Sequence, residues 1–214
     1  MIAGAIILAG GQGRRFGADK RRAQLPNGDE LLAATVRRYA EVFAHLRVAL
    51  RPGDDALAAH LAPLLRSSDK KLLHGADQQL FRAPRADGGM GFTLADCIST
   101  VPTWQFAWVA LGDMPFVTYT TLCRLRDSCT GTASWDVLQP TYLEQPGHPV
   151  GFRHALFAEL VRLRGDEGAR LVVQQHKQRR VRLEVFDPGV LQDVDTPAAL
   201  AAPGTRPPDR TSGR

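Results

Sequence analysis

Ile6-Ile7-Leu8-Ala9-Gly10-Gly11-Gln12-Gly13-Arg14-Arg15-Phe16-Gly17-Ala18-Asp19-Lys20 joins an apolar run to a loop carrying four glycines in eight positions. Glycine lets backbone N–H groups turn inward at positive φ, so a strand that runs into such a loop can cradle anionic oxygens. Arg15 and Lys20 add full positive charges to that cradle. The spacing fits neither of two familiar phosphate loops. A P-loop needs Gly-Lys followed by a Ser or Thr hydroxyl, whereas Lys20 lies three residues after Gly17 and is followed by Arg21. The dinucleotide fingerprint needs Gly-x-Gly-x-x-Gly, and Gly11, Gly13 and Gly17 are one residue too wide. A solvated glycine-rich turn does not account for the arginine–lysine spacing at the end of a first strand. The stretch reads as a grip for a triphosphate.

The surrounding composition is that of a globular chain. With 214 residues and 44% hydrophobic content, one domain over residues 1–201 is expected. The segment 202–214, rich in Pro, Gly, Ser, Thr and Arg, is expected to be a disordered tail. No run of 18 apolar residues suits a membrane, and the first strand begins too early for a signal peptide, so a cytoplasmic location is expected. Cys97, Cys123 and Cys129 form no Cys-x-x-Cys pair and read as free thiols. The net charge of +5 is spread along the chain, with one tight group at Lys177 to Arg182 and only 7% aromatic residues. That pattern argues against a nucleic-acid partner and suits phosphorylated small molecules.

Apolar runs alternate with helical periodicity, which implies an α/β fold of three α/β/α layers around a mainly parallel sheet. Strands are expected at Ala3–Leu8, Leu46–Leu50, Lys71–Leu73, Phe106–Leu111, Val137–Pro140 and Arg180–Val185. Helices are expected at Glu30–Phe43, at Asp54–Leu65 with Pro63 disturbing it, and at Phe92–Ser99, Thr118–Asp127, Arg153–Arg162 and Gly168–His176. Ligands of such sheets lie at the carboxyl ends of the strands. There Phe106 to Leu111 runs into Gly112-Asp113-Met114-Pro115. Asp113 could cap a helix, but beside a triphosphate loop it reads better as a hard oxygen ligand for Mg²⁺.

Leu8 to Lys20 resembles the Leu-Ala-(Ala/Gly)-Gly-x-x-x-Arg-x-Gly-x-x-Lys signature of nucleotidyltransferases that act on molybdenum cofactor. The resemblance spans about residues 3 to 200. It implies a Rossmann-like, glycosyltransferase-A-like nucleotidyltransferase fold. It also implies that Leu8, Ala9, Gly10, Gly11, Gly13, Arg15 and Lys20 bind the nucleotide, with Lys20, Arg15 and Asp113 as catalytic residues. Asp113 matches the family's Asp-Met-Pro magnesium aspartate. Asp193-Val194-Asp195-Thr196-Pro197 resembles its Asp-x-Asp-Thr-Pro element. This makes Asp195 the expected second metal ligand and Asp193 the alternative, although Asp195 or Thr196 could also cap a helix starting at Pro197.

Three later segments resemble the cytidylyltransferase branch of that family: Gly89-Met90-Gly91-Phe92-Thr93-Leu94, Gly147-His148-Pro149-Val150-Gly151-Phe152 and Gly165-Asp166-Glu167-Gly168-Ala169-Arg170. They imply that Thr93, His148 and Arg170 contact the acceptor. Read structurally, the same residues are a helix start, a turn before a strand, and a capped loop. The resemblance implies CTP and molybdopterin as substrates, Mg²⁺ as cofactor, and a molybdenum hydroxylase apoprotein as a docking partner. Leu8-Ala9-Gly10-Gly11 departs from the Leu-Ala-Ala-Gly of the cytidylyl branch and matches the guanylyl branch, which keeps GTP as the alternative. A sugar-phosphate nucleotidyltransferase and a cofactor-carrying chaperone are the rival readings.

Overall fold

A computed structural model describes residues 1–11, 19–66 and 75–196. Gly13 and Arg15, the expected strand Lys71–Leu73, the helix expected from Pro197 and the tail 202–214 lie outside the described residues.

Strands form where the apolar runs are longest, because they are covered on both faces. β1 (Ala3–Leu8), β2 (His45–Leu50) and β4 (Phe106–Leu111) are almost wholly buried. The other strands are β3 (Asp77–Arg82), β5 (Val137–Tyr142), β6 (Gln145–Pro146), β7 (Val150–Arg153) and β8 (Arg180–Glu184). The sheet order is β3-β2-β1-β4-β7-β5-β6, with β8 on the other side of β5. Pairing is parallel between β1 and β2, β1 and β4, β2 and β3, and β5 and β8. Only β6 and β7 run against the rest.

Helices cover both faces. α1 (Leu31–Val42), α2 (Asp55–Arg66, continuing through Pro63) and α4 (Tyr119–Asp127) pack with Ala5, Ile7, Val48 and Trp108. α3 (Met90–Ser99), α5 (Phe157–Leu160) and α6 (Arg170–Gln175) pack with Ile6, Leu8, Ala107 and Phe152. Residues 5 to 8 therefore alternate between two cores, the mark of a strand buried on both sides. Two expected helices are shorter than their sequence patterns. Arg153–Arg162 resolves into the end of β7, a 3₁₀ turn at His154–Leu156 and the single turn of α5. Gly168–His176 keeps only α6, because Gly168 adopts φ +55° ahead of it.

The chain crosses from β2 and β3 on one side of β1 to β4 on the other. Such a reversal opens a crevice at the carboxyl ends of the two central strands. β1 and β4 end level with each other, with Leu8 opposite Leu111, and Gly112 N donates to Leu8 O at 3.0 Å. A Cβ on Gly112 would lie 3.1 Å from Leu8 O and 3.1 Å from Ala9 Cβ, so a side chain here would press the two strand exits apart by a few tenths of an ångström.

The chain returns to this crevice after β8. Buried Asp187 accepts hydrogen bonds from Thr118 N (2.9 Å), Thr118 Oγ1 (2.8 Å) and Gly189 N (2.9 Å), fixing the 3₁₀ turn Pro188–Leu191 against the start of α4. Val194 then buries its side chain among Leu25 and Leu31, and its N–H donates to Asp113 O at 3.0 Å. Truncating Asp187 leaves buried N–H groups without an acceptor, which costs more than a surface change. Asp187→Ala is expected to lower unfolding free energy by about 2–4 kcal/mol, read from the denaturant midpoint. A loss within the range of an exposed substitution would contradict this account of the return segment.

Candidate active site

Lys20, Asp113 and Asp195 come from three distant segments and meet at one point. Lys20 Nζ donates to Asp113 Oδ2 at 2.8 Å and to Asp195 Oδ1 at 2.6 Å. Burial works against the Lys20 ammonium, but the bonds to the two carboxylates outweigh it and raise its pKa above the ordinary value. Asp113 Oδ1 is buried and has no hydrogen-bond partner among the described residues. Asp193 stands on the same extended segment, one residue before buried Val194. Desolvation first, then the Asp195 and Asp113 carboxylates, push Asp193 above the usual carboxylate range.

Lys20, Asp113 and Asp195 line a cleft of about 540 Å³. Leu8, Ala9, Gly10 and Gly11 from the end of β1 line it, together with Gly88, Gly89, Met90 and Thr93 from the segment that opens α3. Thr93 Oγ1 donates to Gly89 O at 3.0 Å. Gly10 packs against the same residue: a Cβ there would lie 3.2 Å from Ala86 Cβ and 3.4 Å from Thr93 Oγ1.

Two segments that the sequence shows far apart are one structure here. Gly91 N donates to Gly165 O at 2.7 Å. A Cβ on Gly89 would meet Asp166 Oδ1 at 2.4 Å, and one on Gly91 would meet Arg164 O at 2.6 Å. Gly89 also has φ +115°, a conformation that favours glycine. Thus Gly89 and Gly91 are glycines because the Arg164–Asp166 loop lies on them. One consequence is that the Gly91 N–H at the start of α3 is committed to protein rather than offered to an anion. Arg164 and Arg85 complete the junction by facing the Phe92 ring, 5.3 and 5.2 Å from its centroid.

The other expected acceptor residues lie away from the cleft lining. Arg170 is exposed at the first position of α6. His148 lies within reach of the Asp113 charge: burial pushes its pKa below the ordinary imidazole value, opposed by the Val109 backbone carbonyl and the Asp113 carboxylate. Its backbone N–H donates to Val190 O at 2.9 Å, so this turn braces the segment leading to Asp195.

Arg21 and Asp87, which carry no signal in the sequence, line the cleft as well, and so does Asp166 of the Gly165–Arg170 segment. Arg21 is the most constrained of them. Its guanidinium binds Asp19 through Nε and Nη2, both at 2.8 Å. It binds Asp54 through Nη2 at 2.8 Å and through Nη1, and donates to Ala9 O at 3.0 Å. One planar fork therefore ties both described ends of the glycine loop to the turn after β2. Burial alone would raise the Asp54 pKa, but hydrogen bonds from Arg21 and Arg51 N hold it below the usual carboxylate range. Among the described residues, no group of three or more His, Cys, Asp or Glu side chains is arranged to hold a metal. Nor is any helix there long and apolar enough to cross a membrane.

The family model for the MobA-like NTP transferase domain matches residues 5–181. The chain belongs to this family. Rv0371c of Mycobacterium tuberculosis is similar in structure: 27% identical, TM-score 0.70, covering 93% of this chain and 96% of that one. The manganese complex of Rv0371c is 26% identical, with a TM-score of 0.67 over 93% and 96% of the two chains. Molybdopterin-guanine dinucleotide biosynthesis protein A from Archaeoglobus fulgidus is 22% identical, TM-score 0.62, over 92% and 94%, a likeness of fold. No curated protein shows significant sequence similarity to the chain. The expectation of a nucleotidyltransferase fold with a mainly parallel sheet is borne out.

The Arg21 fork generates two outcomes. Arg21→Met leaves two carboxylates without their partner and is expected to cost about 3–5 kcal/mol, measured by denaturant unfolding. Because the Asp54 pKa is depressed, its stabilisation is complete above the ordinary carboxylate pKa and is lost as pH falls through the folded value. The thermal midpoint of Asp54→Asn should therefore fall less steeply with acid than that of the wild type. Parallel acid profiles would contradict the pairing.

Proposed function

We propose that this MobA-like protein transfers CMP from CTP to the phosphate of molybdopterin and releases pyrophosphate. The observation that carries the reading is the convergence of Lys20, Asp113 and Asp195 beside the glycine-lined end of β1. A metal fits this site on two grounds. Two carboxylates from separate segments already share one cation, and Asp113 Oδ1 is buried without a partner. Asp113 and Asp195 would hold Mg²⁺, which supplies charge neutralisation and Lewis acidity at the phosphates when bound.

The protein's own groups do the rest by placement. Backbone N–H groups at Gly10 and Gly11, with Gly13 and Arg15, would take the β- and γ-phosphates, and Lys20 would cover the α-phosphate. A phosphate monoester is already anionic at neutral pH, so an in-line attack on the α-phosphorus needs no general base. Aligning two polyanions and neutralising the developing charge is the catalytic task. Thr93 lines the same cleft, and the acceptor would enter beside it. His148 and Arg170 would act on the acceptor only from outside that lining, His148 through its charge interaction with Asp113.

The choice of CTP over GTP rests on the three later motifs, and packing around Gly10 bears on the one departure from them. Gly10 stands where the cytidylyl branch carries alanine, and Thr93 stands where it carries serine. An alanine Cβ at position 10 would lie 3.4 and 3.6 Å from Thr93 Oγ1 and Cγ2 and 3.2 Å from Ala86 Cβ. The tight contact is the one to Ala86, whereas those to Thr93 are ordinary van der Waals distances. The glycine thereby has a packing cause and need not report on the base.

The test is pyrophosphate release with Mg²⁺, molybdenum-loaded molybdopterin, and CTP, GTP, ATP or UTP offered singly. Release with CTP is expected. Release with GTP alone would overturn the base assignment, and silence with all four, beside an active control enzyme, would overturn the acceptor. Asp113→Asn is expected to reduce turnover roughly 100-fold or more while the protein stays folded. Unchanged turnover would remove Asp113 from the metal site.

A further inference from the structure

Lys20 Nζ occupies the place that a divalent cation on Asp113 and Asp195 requires. It lies 2.8 Å from Asp113 Oδ2 and 2.6 Å from Asp195 Oδ1. Mg²⁺ takes oxygen ligands at roughly 2.0–2.1 Å in near-octahedral geometry. An ion bound to the same two oxygens would overlap the ammonium and be repelled by it. Metal and ammonium therefore exclude each other by position and by charge. We propose that Lys20 is a placeholder for the metal, and that a triphosphate draws it off the two carboxylates, so that nucleotide binding opens the metal site. This rests on the nucleotidyltransferase reading above and adds to it the order in which the site is filled.

Three features favour exchange over a fixed brace. The Lys20 side chain already lines the cleft beside Gly10 and Gly11, where a triphosphate would be gripped. A phosphate offers charge-assisted acceptors of the same kind as the carboxylates it leaves, so the move replaces one ionic partner with another. The backbone beneath Lys20 is fixed, because Arg21 clamps the turn Lys20–Arg22 to Asp54 and Ala9 O. Only the four-carbon side chain has to move. Asp113 then regains an open Oδ2 next to its buried, unpartnered Oδ1. The coupling is reciprocal: whatever factor nucleotide adds to metal affinity, metal adds to nucleotide affinity.

The test follows Mn²⁺ binding to the full chain by the electron paramagnetic resonance of the free ion, without nucleotide and with α,β-methylene CTP. Lys20→Met is expected to bind Mn²⁺ about tenfold or more tightly than wild type in the absence of nucleotide, a factor typical of coupled sites. That gain should vanish in Lys20→Met/Asp113→Asn. Wild type should gain a similar factor when the analogue is added. If Lys20→Met leaves nucleotide-free affinity unchanged while Asp113→Asn weakens Mn²⁺ binding with the analogue, the metal site stands and the exchange is wrong. If Asp113→Asn changes Mn²⁺ binding in neither state, the metal reading fails and takes the exchange with it. Lys20→Gln, neutral and polar, serves the same comparison with the same expected gain should Lys20→Met not fold.

Discussion

Two carboxylates brought within hydrogen-bonding distance of one ammonium concentrate charge at a single point of the sheet edge. Bringing like charges together is unfavourable unless a cation lies between them. Here the requirement is met by Lys20, delivered from the far end of the glycine loop, while Asp113 and Asp195 arrive from β4 and from the segment after β8. Each delivery has its own brace. Arg21 fixes the loop end, the Gly112 N–H to Leu8 O bond fixes the β4 exit, and Asp187 with Val194 fixes the return segment. The rest of the cleft is arranged around that charge.

The same logic explains why buried charge is tolerated near the site. Arg21 sits in protein rather than water, yet each side of its planar fork meets a carboxylate and Nη1 also reaches a carbonyl. Such a group is costly to bury alone and rigid once paired. Its rigidity matters to the proposed phosphate grip, because such a grip works by preorganised donors, not by donors that must first be ordered.

Much of this was legible in the sequence where the signal is local. β1 and β4 announce themselves by apolar runs ending in glycine, and both run into the crevice as parallel strands do. β3 was not legible: Asp77-Gln78-Gln79-Leu80-Phe81-Arg82 is a half-buried strand at the margin of the sheet and carries no apolar run. Asp113 and Asp195 were found through motif resemblance, but their shared cation was not, since contact across 93 and 175 residues leaves no trace in spacing. Arg21 was passed over for the same reason: its partner Asp54 is 33 residues away. The glycines at 89 and 91 looked like helix-start residues, whereas their small size makes room for the Arg164–Asp166 loop. Sequence shows which residues are unusual; packing shows what each is unusual for.

The central claim is that Lys20, Asp113 and Asp195 are one metal–triphosphate site. The most direct measurement is a crystal structure with Mn²⁺ and a non-hydrolysable CTP analogue, using manganese anomalous scattering to place the ion. The account predicts an anomalous peak between Asp113 and Asp195, with Lys20 Nζ moved to a phosphate oxygen. An ion bound elsewhere, with Lys20 still between the two carboxylates, would contradict it.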